Sequence, residues 1–253
     1  MTTTKIEWAQ TTWNPITGCS PISEGCQHCY AKRMATRLAG RYGYPKDDPF
    51  AVTFHPDRLS EPFRWRNPRM VFVCSMGDIF HKDVELNWIY EVFLIMERCP
   101  QHTFMLLTKR PERMRQLVNR IVAGHDIEHR KHIWLGVTAE NQQRANERIP
   151  ILLKIKSAVR FVSVEPMIGP IDLDETCHDD TCWREGLDWV ICGAETGPGK
   201  RNMEIEWARA LRNKCFYAGV PFFFKKDSKG ERIIGGNGLF DNKMWEQYPT
   251  IIS

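Results

Sequence analysis

The sequence predicts an α/β protein built from repeated strand–helix–strand units. Short apolar runs of strand character recur along the chain. Amphipathic stretches at helical spacing separate them, and most runs end in polar or glycine-containing residues. Runs that are apolar throughout suit strands covered on both faces, as in a parallel sheet. Alternating them with helices in one domain implies right-handed βαβ units. Such units form either an open doubly wound sheet or a barrel. Their order along the chain does not choose between the two.

The strand-like runs are Met70–Cys74, Thr103–Leu107, His132–Val137, Arg160–Val164, Leu187–Cys192 and Val220–Phe224, with Ala51–Phe54 as a shorter one. Helices are expected over Ala31–Gly40, Glu85–Arg98, the stretch after Pro111, Asn141–Lys156 and Glu204–Tyr217. In the second of these, Leu86, Ile89, Phe93 and Met96 share one face. Met114, Leu117, Val118 and Ile121 do the same after Pro111. The polar strand ends are Ser75-Met76-Gly77-Asp78, Thr108-Lys109-Arg110, Thr138-Ala139-Glu140-Asn141, Glu165-Pro166 and Gly193-Ala194-Glu195. Parallel α/β folds bind ligands at the carboxyl ends of their strands, so these ends are expected to line one cavity. Asp78 and Pro111 also suit helix caps and turns.

The 253 residues are 42% hydrophobic and 26% charged, which fits one domain over 1–253. Its expected parts are a cysteine loop at 18–30, βα units over about 50–225 and a C-terminal extension at 226–253. No apolar run reaches the ~18–20 residues that span a bilayer. The first residues lack an apolar signal core, so a cytoplasmic protein with no membrane contact is expected. The net charge of +4 permits nucleic-acid binding without arguing for it. Arg58, Arg64, Arg66 and Arg69, interleaved with Phe63 and Trp65, could grip phosphates and stack a base. Ordinary surface packing is the preferred reading of that cluster.

Nine cysteines, an odd number in a chain of this size, point to free thiols or metal ligands rather than a disulfide framework. Cys19, Cys26 and Cys29 fall within eleven residues, spaced C-x6-C-x2-C and followed by Tyr30. Gly18, Pro21 and Gly25 make the segment a loop, which can wrap three thiolates round one centre. Thiolates are soft ligands that suit iron–sulfur clusters and zinc. Zinc in a structural site wants a fourth ligand, and His28, set between Cys26 and Cys29, points the wrong way to supply it. A [4Fe–4S] cluster on three thiolates, with one iron open, is favoured over zinc with a remote fourth ligand and over unligated cysteines.

The other cysteines carry weaker readings. Cys74 and Cys192 end strands and could act as hydrogen-atom donors, but small buried hydrophobes are preferred. Cys177 and Cys182 flank His178-Asp179-Asp180 and could bind a second metal. Cys99 and Cys215 fall on helices and look structural. The run from Gly193 to Lys200 fails as a phosphate loop. Ala194 replaces its first glycine, and Arg201 stands where Ser or Thr must bind magnesium. A turn beside the cavity is expected instead, with Lys200 or Arg201 near an anionic group.

The cysteine segment resembles the motif of the radical S-adenosylmethionine (SAM) superfamily, with a first gap three residues longer than usual. The chain is also similar to the phage Gp37/Gp68-like, three-Cys-motif family. This second resemblance rests on Thr12-Trp13-Asn14-Pro15, Gly25-Cys26-Gln27-His28-Cys29-Tyr30-Ala31 and Phe72-Val73-Cys74-Ser75-Met76-Gly77-Asp78-Ile79-Phe80-His81. It continues through Leu107-Thr108-Lys109-Arg110-Pro111, Trp134-Leu135-Gly136-Val137-Thr138, Ser163-Val164-Glu165-Pro166 and Pro221-Phe222-Phe223-Phe224-Lys225.

These resemblances imply a partial (β/α) TIM-like barrel with the cluster loop near its mouth. They imply a [4Fe–4S] cluster on Cys19, Cys26 and Cys29, and SAM chelated at the open iron. Tyr30 would lie near the adenine. Ser75, Met76, Gly77 and Asp78 take the place of the strand end that contacts the SAM amino group. Thr108 and Lys109 resemble a Thr-Lys pair of the spore photoproduct lyase branch, whose lysine faces the SAM carboxylate. Thr138 would contact ribose or carboxylate. Glu140, Glu165, Glu195 and Lys225 are left as catalytic or substrate-binding candidates.

The implied activity is reductive cleavage of SAM to a 5′-deoxyadenosyl radical, with a flavodoxin- or ferredoxin-like electron donor. A phage setting and the lyase resemblance point to a DNA base or nucleotide precursor as the group modified or isomerised. The alternatives are a radical SAM enzyme acting on a peptide or small metabolite, and a non-catalytic zinc or iron–sulfur nucleic-acid-binding protein.

Overall fold

The apolar runs form strands, and the strands lie side by side in the order in which they occur. The computed structural model describes residues 4, 6–122, 130–177 and 182–250. Along the chain come β1 (Thr11–Trp13), β2 (Ile16–Thr17), α1 (Tyr30–Arg37), β3 (Thr53–Phe54) and β4 (Met70–Val73). They are followed by α2 (Leu86–Glu97), β5 (Thr103–Thr108), α3 (Pro111–Val122), β6 (Ile133–Thr138) and α4 (Gln142–Leu153). The rest are β7 (Arg160–Val164), α5 (Trp183–Gly186), β8 (Trp189–Cys192), α6 (Ile205–Ala218) and β9 (Phe222–Phe224).

Seven strands form one parallel sheet in the order β1-β4-β5-β6-β7-β8-β9. A doubly wound sheet reverses its strand order about a switch point. This one never reverses, so right-handed crossovers put successive helices on the same face. The sheet curls into an open half-barrel, and the choice left open by the sequence is thereby made.

Two differences from the sequence reading concern the first hundred residues. Thr11–Trp13 adds an unexpected edge strand, pairing in parallel with Val71–Val73. The Ala51–Phe54 run does not join the parallel sheet. Its last two residues pair antiparallel with Ile16 and Thr17 in a separate ribbon. That ribbon ties together the two ends of the cysteine-bearing excursion between β2 and β3.

The two sheet faces are packed differently. The outer face is largely aliphatic: Val71, Val73, Leu106, Leu135, Val162 and Val190 meet Ile89, Met96, Met114, Ile149, Leu152 and Leu211 of the helices. The concave face is mostly aromatic, with Phe72, Trp134, Phe161, Trp189 and Phe223 around Trp8 of the N-terminal segment. Trp8 lies 4.8 Å from Phe72 between ring centroids and meets Trp189 edge-on at 6.3 Å. Large rings thus fill the lower half-barrel and leave its upper mouth open.

The C-terminal segment packs on α6 and β9. Ile234 and Trp245 are buried there, and Glu246 bridges antiparallel to Phe223. Among the described residues, no helix is long and apolar enough to cross a membrane.

Cys177 and Cys182 form a disulfide, contrary to the expectation of free thiols or metal ligands. Their Cα atoms lie 4.5 Å apart, within bridging range. His178, Asp179 and Asp180, invoked for a second metal, lie outside the described residues. Arg58 of the suggested basic patch is used internally. Its guanidinium donates to the Asn14 carbonyl at 3.0 Å and to the Tyr42 carbonyl. Arg69 covers Trp65.

Candidate functional site

The cysteine loop is wound as successive tight turns and stitched to the barrel at several points. At its start, the Gly18 amide donates to the Met76 carbonyl at 2.9 Å. Gly18 has φ +89°, and a Cβ there would meet the Ala51 carbonyl oxygen at 2.1 Å, so glycine is required. Midway, Cys26 donates its amide to Ser23 and Cys29 to Cys26. Glu24 accepts from Arg144 at 2.9 Å and from Asn141 at 2.5 Å, at the start of α4. Cys29 is the N-cap of α1, so the third thiol and the ring of Tyr30 leave the loop together.

Behind the loop sits Glu140, fully buried at the end of β6. Its carboxylate accepts from the Ser23 hydroxyl at 2.5 Å and pairs with Lys109 at 2.6 Å and Arg148 at 2.8 Å. Burial alone would push this carboxyl up, but Lys109 and Arg148 outweigh it and hold the carboxyl below the usual range. Gly25 packs directly on it, and a Cβ there would lie 2.4 Å from the Glu140 side chain.

Cys19, Cys26 and Cys29 open on one cavity of about 620 Å3. All five polar strand ends reach it, through Ser75–Asp78, Thr108–Arg110, Thr138, Glu165 with Pro166, and Ala194 with Glu195. The wall mixes rings (Tyr30, Phe50, Phe72, Trp8) with amide and hydroxyl groups (Asn14, Thr12, Ser163).

Two thiols have a cation beside them. Lys109 Nζ lies 3.8 Å from Cys26 Sγ, and Arg110 donates to Cys19 Sγ at 3.4 Å. Burial raises the Cys26 thiol, but Lys109 and nearby amides bring it below the ordinary thiol range. Cys19 goes the other way: burial and the Asp78 carboxylate push it up to about 11, with Arg110 offsetting part of this.

The sequence-derived site residues divide by what their polar atoms already do. Asp78 is a buried hub. It accepts from Thr108 at 2.8 Å, from Arg110 at 2.8 Å and from the Phe80 amide at 2.9 Å. Thr108 is therefore engaged by Asp78 as well. Tyr30 lines the cavity and donates its hydroxyl to the Ser75 carbonyl at 2.5 Å. The Ser75 hydroxyl and the Met76 amide both donate to Asn14. Gly77 bridges to Gly18. Thr138 lines the cavity while its carbonyl accepts from Arg148 at 2.7 Å.

Among the four acid–base candidates, Glu165 and Lys225 face the cavity and pair with each other. Glu7 lies 3.5 Å from Lys225, and these carboxylates hold the ammonium above its usual range despite burial. Glu195 faces the cavity and is clasped by Arg201, whose amide donates to it at 2.8 Å. Glu140 does not line the cavity. Its charge is spent on Lys109, Arg148 and the loop.

Cys74 and Cys192 do not line it either, and both belong to the helix-side core. Burial pushes the Cys74 thiol up to about 12, which suits an inert hydrophobe. Residues to which the sequence reading gave no role in the site are Asn14, Arg110, Arg148, Glu7 and His81. Arg110 had a local signal, since it directly follows Lys109 at a strand end. His81 reaches the loop through the Ser20 hydroxyl at 2.7 Å. Nothing in its sequence neighbourhood marks that contact.

Among the described residues, no group of three or more His, Cys, Asp or Glu side chains is gathered as for a single metal ion. A four-iron cubane makes a different demand. It attaches each thiolate to a separate iron, so its ligands stand farther apart than those of one tetrahedral ion. The donor set fits such a cluster: three soft ligands on one wrapped loop, opening on one cavity, with cations beside two of them.

A family model described as a protein of unknown function (DUF5131) matches residues 3–249. Among solved structures, a mutant spore photoproduct lyase is similar at 12% identity and a TM-score of 0.41. That match covers 76% of this chain and 57% of the lyase chain, so this chain spans little more than half of that protein. No curated protein matches.

Proposed function

We propose that this chain, which belongs to the DUF5131 family, is a radical SAM enzyme holding a [4Fe–4S] cluster on Cys19, Cys26 and Cys29. The observation that carries the reading is the joint opening of these three thiols on a cavity lined by five strand ends. When bound, the cluster and SAM supply reductive cleavage of the sulfonium bond and a 5′-deoxyadenosyl radical.

The chain's own residues supply everything around that chemistry. Gly18, Glu24 and Glu140 fix the loop, so that ordering it costs little when the cluster binds. Lys109, held by Glu140, presents an ammonium to an anionic group beside Cys26. Tyr30, Ser75–Gly77 and Thr138 line the cavity on which the three thiols open. Glu165, Lys225 and Glu195 line the same cavity and are the charged groups offered to substrate. The aromatic floor under Trp8 and Phe72 excludes water from below.

The substrate we propose is a base of DNA or a nucleotide precursor. The resemblance to phage proteins supports this, and so does a cavity wall that includes both rings and amide and hydroxyl groups, which suits a planar polar heterocycle. A flavodoxin- or ferredoxin-like protein would donate the electron.

Anaerobic purification tests the core of the proposal. About four iron and four sulfide per chain, with 5′-deoxyadenosine released from SAM on adding dithionite, is expected. Cys26→Ala should lose both. A colourless chain carrying one zinc overturns the reading. Mass spectrometry of nucleosides from phage DNA incubated with the enzyme tests the substrate class, and an unchanged nucleoside profile removes DNA from it.

A further inference from the structure

We infer that Arg110 sets the electron affinity of the cysteine-bound cluster, by holding a positive charge and an N–H donor against the sulfur of Cys19. This rests on the reading of Cys19, Cys26 and Cys29 as cluster ligands. It adds a determinant of how easily that cluster is reduced.

The guanidinium is fixed from several sides. One terminal nitrogen bonds Asp78 at 2.8 Å and Cys19 Sγ at 3.4 Å. The other donates to the Ser20 carbonyl at 2.9 Å and approaches the Ser20 hydroxyl at 3.4 Å. Asp78 is itself locked by Thr108 and by the Phe80 amide. The Arg110 side chain is only 13% exposed, and Asp78 6%. Both charges are therefore poorly screened and cannot swing away.

Reduction adds one electron to the cluster, taken from the donor protein or from dithionite, and no bond to Arg110 forms or breaks. A cation in contact with one thiolate stabilises the more negative, reduced form more than the oxidised one. Hydrogen bonds to cluster sulfurs act in the same direction. Asp78 opposes this, because its carboxylate lies near the same sulfur. The pair thus makes a balance in which each partner has an opposite effect on the cluster. A purely structural role would give no such opposition, since losing either partner would loosen the same loop.

The test is an anaerobic redox titration of the full reconstituted chain without SAM, followed by electron paramagnetic resonance, with iron content measured in parallel. Arg110→Gln removes the charge and should favour the oxidised form at least tenfold at a fixed potential. That is a midpoint about 59 mV lower for a one-electron couple. Asp78→Asn removes the opposing charge and should shift the ratio the other way. Arg110→Lys keeps the charge and should stay closer to the parent than Arg110→Gln does.

Equal midpoints in the parent, Arg110→Gln and Asp78→Asn would overturn the inference while leaving the cluster assignment standing, and so would shifts of the same sign. A parent chain that takes up no titratable cluster overturns both. If Arg110→Gln fails to load, Asp78→Asn and Arg110→Lys still decide the matter through the sign and the retention of the shift.

Discussion

Two buried carboxylates sit in similar surroundings and serve different ends. Glu140 lies between Lys109 and Arg148 behind the cysteine loop. Asp241 lies between Arg209 at 3.1 Å and Arg212 at 2.8 Å, where the C-terminal segment folds onto α6. Each acid is held by two cations and one further donor, the Ser23 hydroxyl for Glu140 and the Gly238 amide for Asp241. The difference is what the cations touch next. Lys109 reaches a thiol and the cavity, whereas Arg212 reaches the Phe240 carbonyl, Asn213 and the rings of Phe240 and Trp245. A perturbed buried ion pair is therefore not by itself a functional signal. The neighbour beyond the pair decides.

Removing the charge from each acid separates the two roles. Glu140→Gln leaves Lys109 and Arg148 uncompensated, which should cost about 3–5 kcal/mol of stability. It also weakens the bond from the Ser23 hydroxyl and loosens Lys109 behind the loop, so cluster retention should fall about 10–100-fold, as for lost outer-shell partners of metal sites. Urea unfolding of the apo chain and iron analysis of the loaded chain measure the two effects. Unchanged iron retention would erase the distinction drawn between the two acids.

Asp241→Asn should cost about 3 kcal/mol in the same unfolding experiment, because Arg212 is left buried without its counter-charge. Iron per folded chain should match the parent. A loss as large as that of Glu140→Gln would show that the C-terminal clasp also supports the loop.

Gly25→Ala perturbs the first region sterically rather than electrically. Its new methyl collides with the Glu140 side chain, at a cost of about 1–3 kcal/mol. Iron retention should drop with it, and a variant as stable and as well loaded as the parent would show that the loop has slack.

A further effect is expected from pH, outside both clusters. His55 is held down to about 4 by burial and by Arg58, against about 6.5 when unfolded. Its neutral ring bonds the Thr17 hydroxyl at 2.8 Å in the ribbon that closes the cysteine excursion. Between these two values the unfolded chain binds the extra proton. Its contribution to stability is thus complete above pH 6.5 and is lost as pH falls toward 4. Urea midpoints across that window should fall less in His55→Gln than in the parent. An equal fall in both would assign the acid sensitivity to other groups.

Much of the fold was legible because its signals are local. Arg160–Val164 is a strand with the bounds its apolar run announces, Met70–Val73 stops one residue short of its run, and Ile133–Thr138 is shifted by one residue at both ends. The polar ends of those strands do meet in one cavity, as parallel topology demands. Thr11–Trp13 was not legible. Three residues carry too little pattern to mark a strand, and the pairing with Val71–Val73 alone makes it one. The pairing of Cys177 with Cys182 was missed because the odd cysteine count was read as a property of the whole chain. Glu140, Glu165 and Glu195 looked equivalent in the sequence. In the fold, two of them face the cavity and the third is sealed behind the loop.

The sequence by itself determined that parallel strands would alternate with helices, and that three thiols would share one loop. Both follow from side-chain patterns within short windows, where burial on two faces selects uniformly apolar strands. Tertiary structure alone decided that the sheet curls without reversing and that Lys109 and Arg110 stand beside Cys26 and Cys19. It also decided that Glu140 braces the loop through Ser23, 117 residues away. Strand order and the matching of buried charges are set by which distant segments can pack together, and no local pattern encodes that choice.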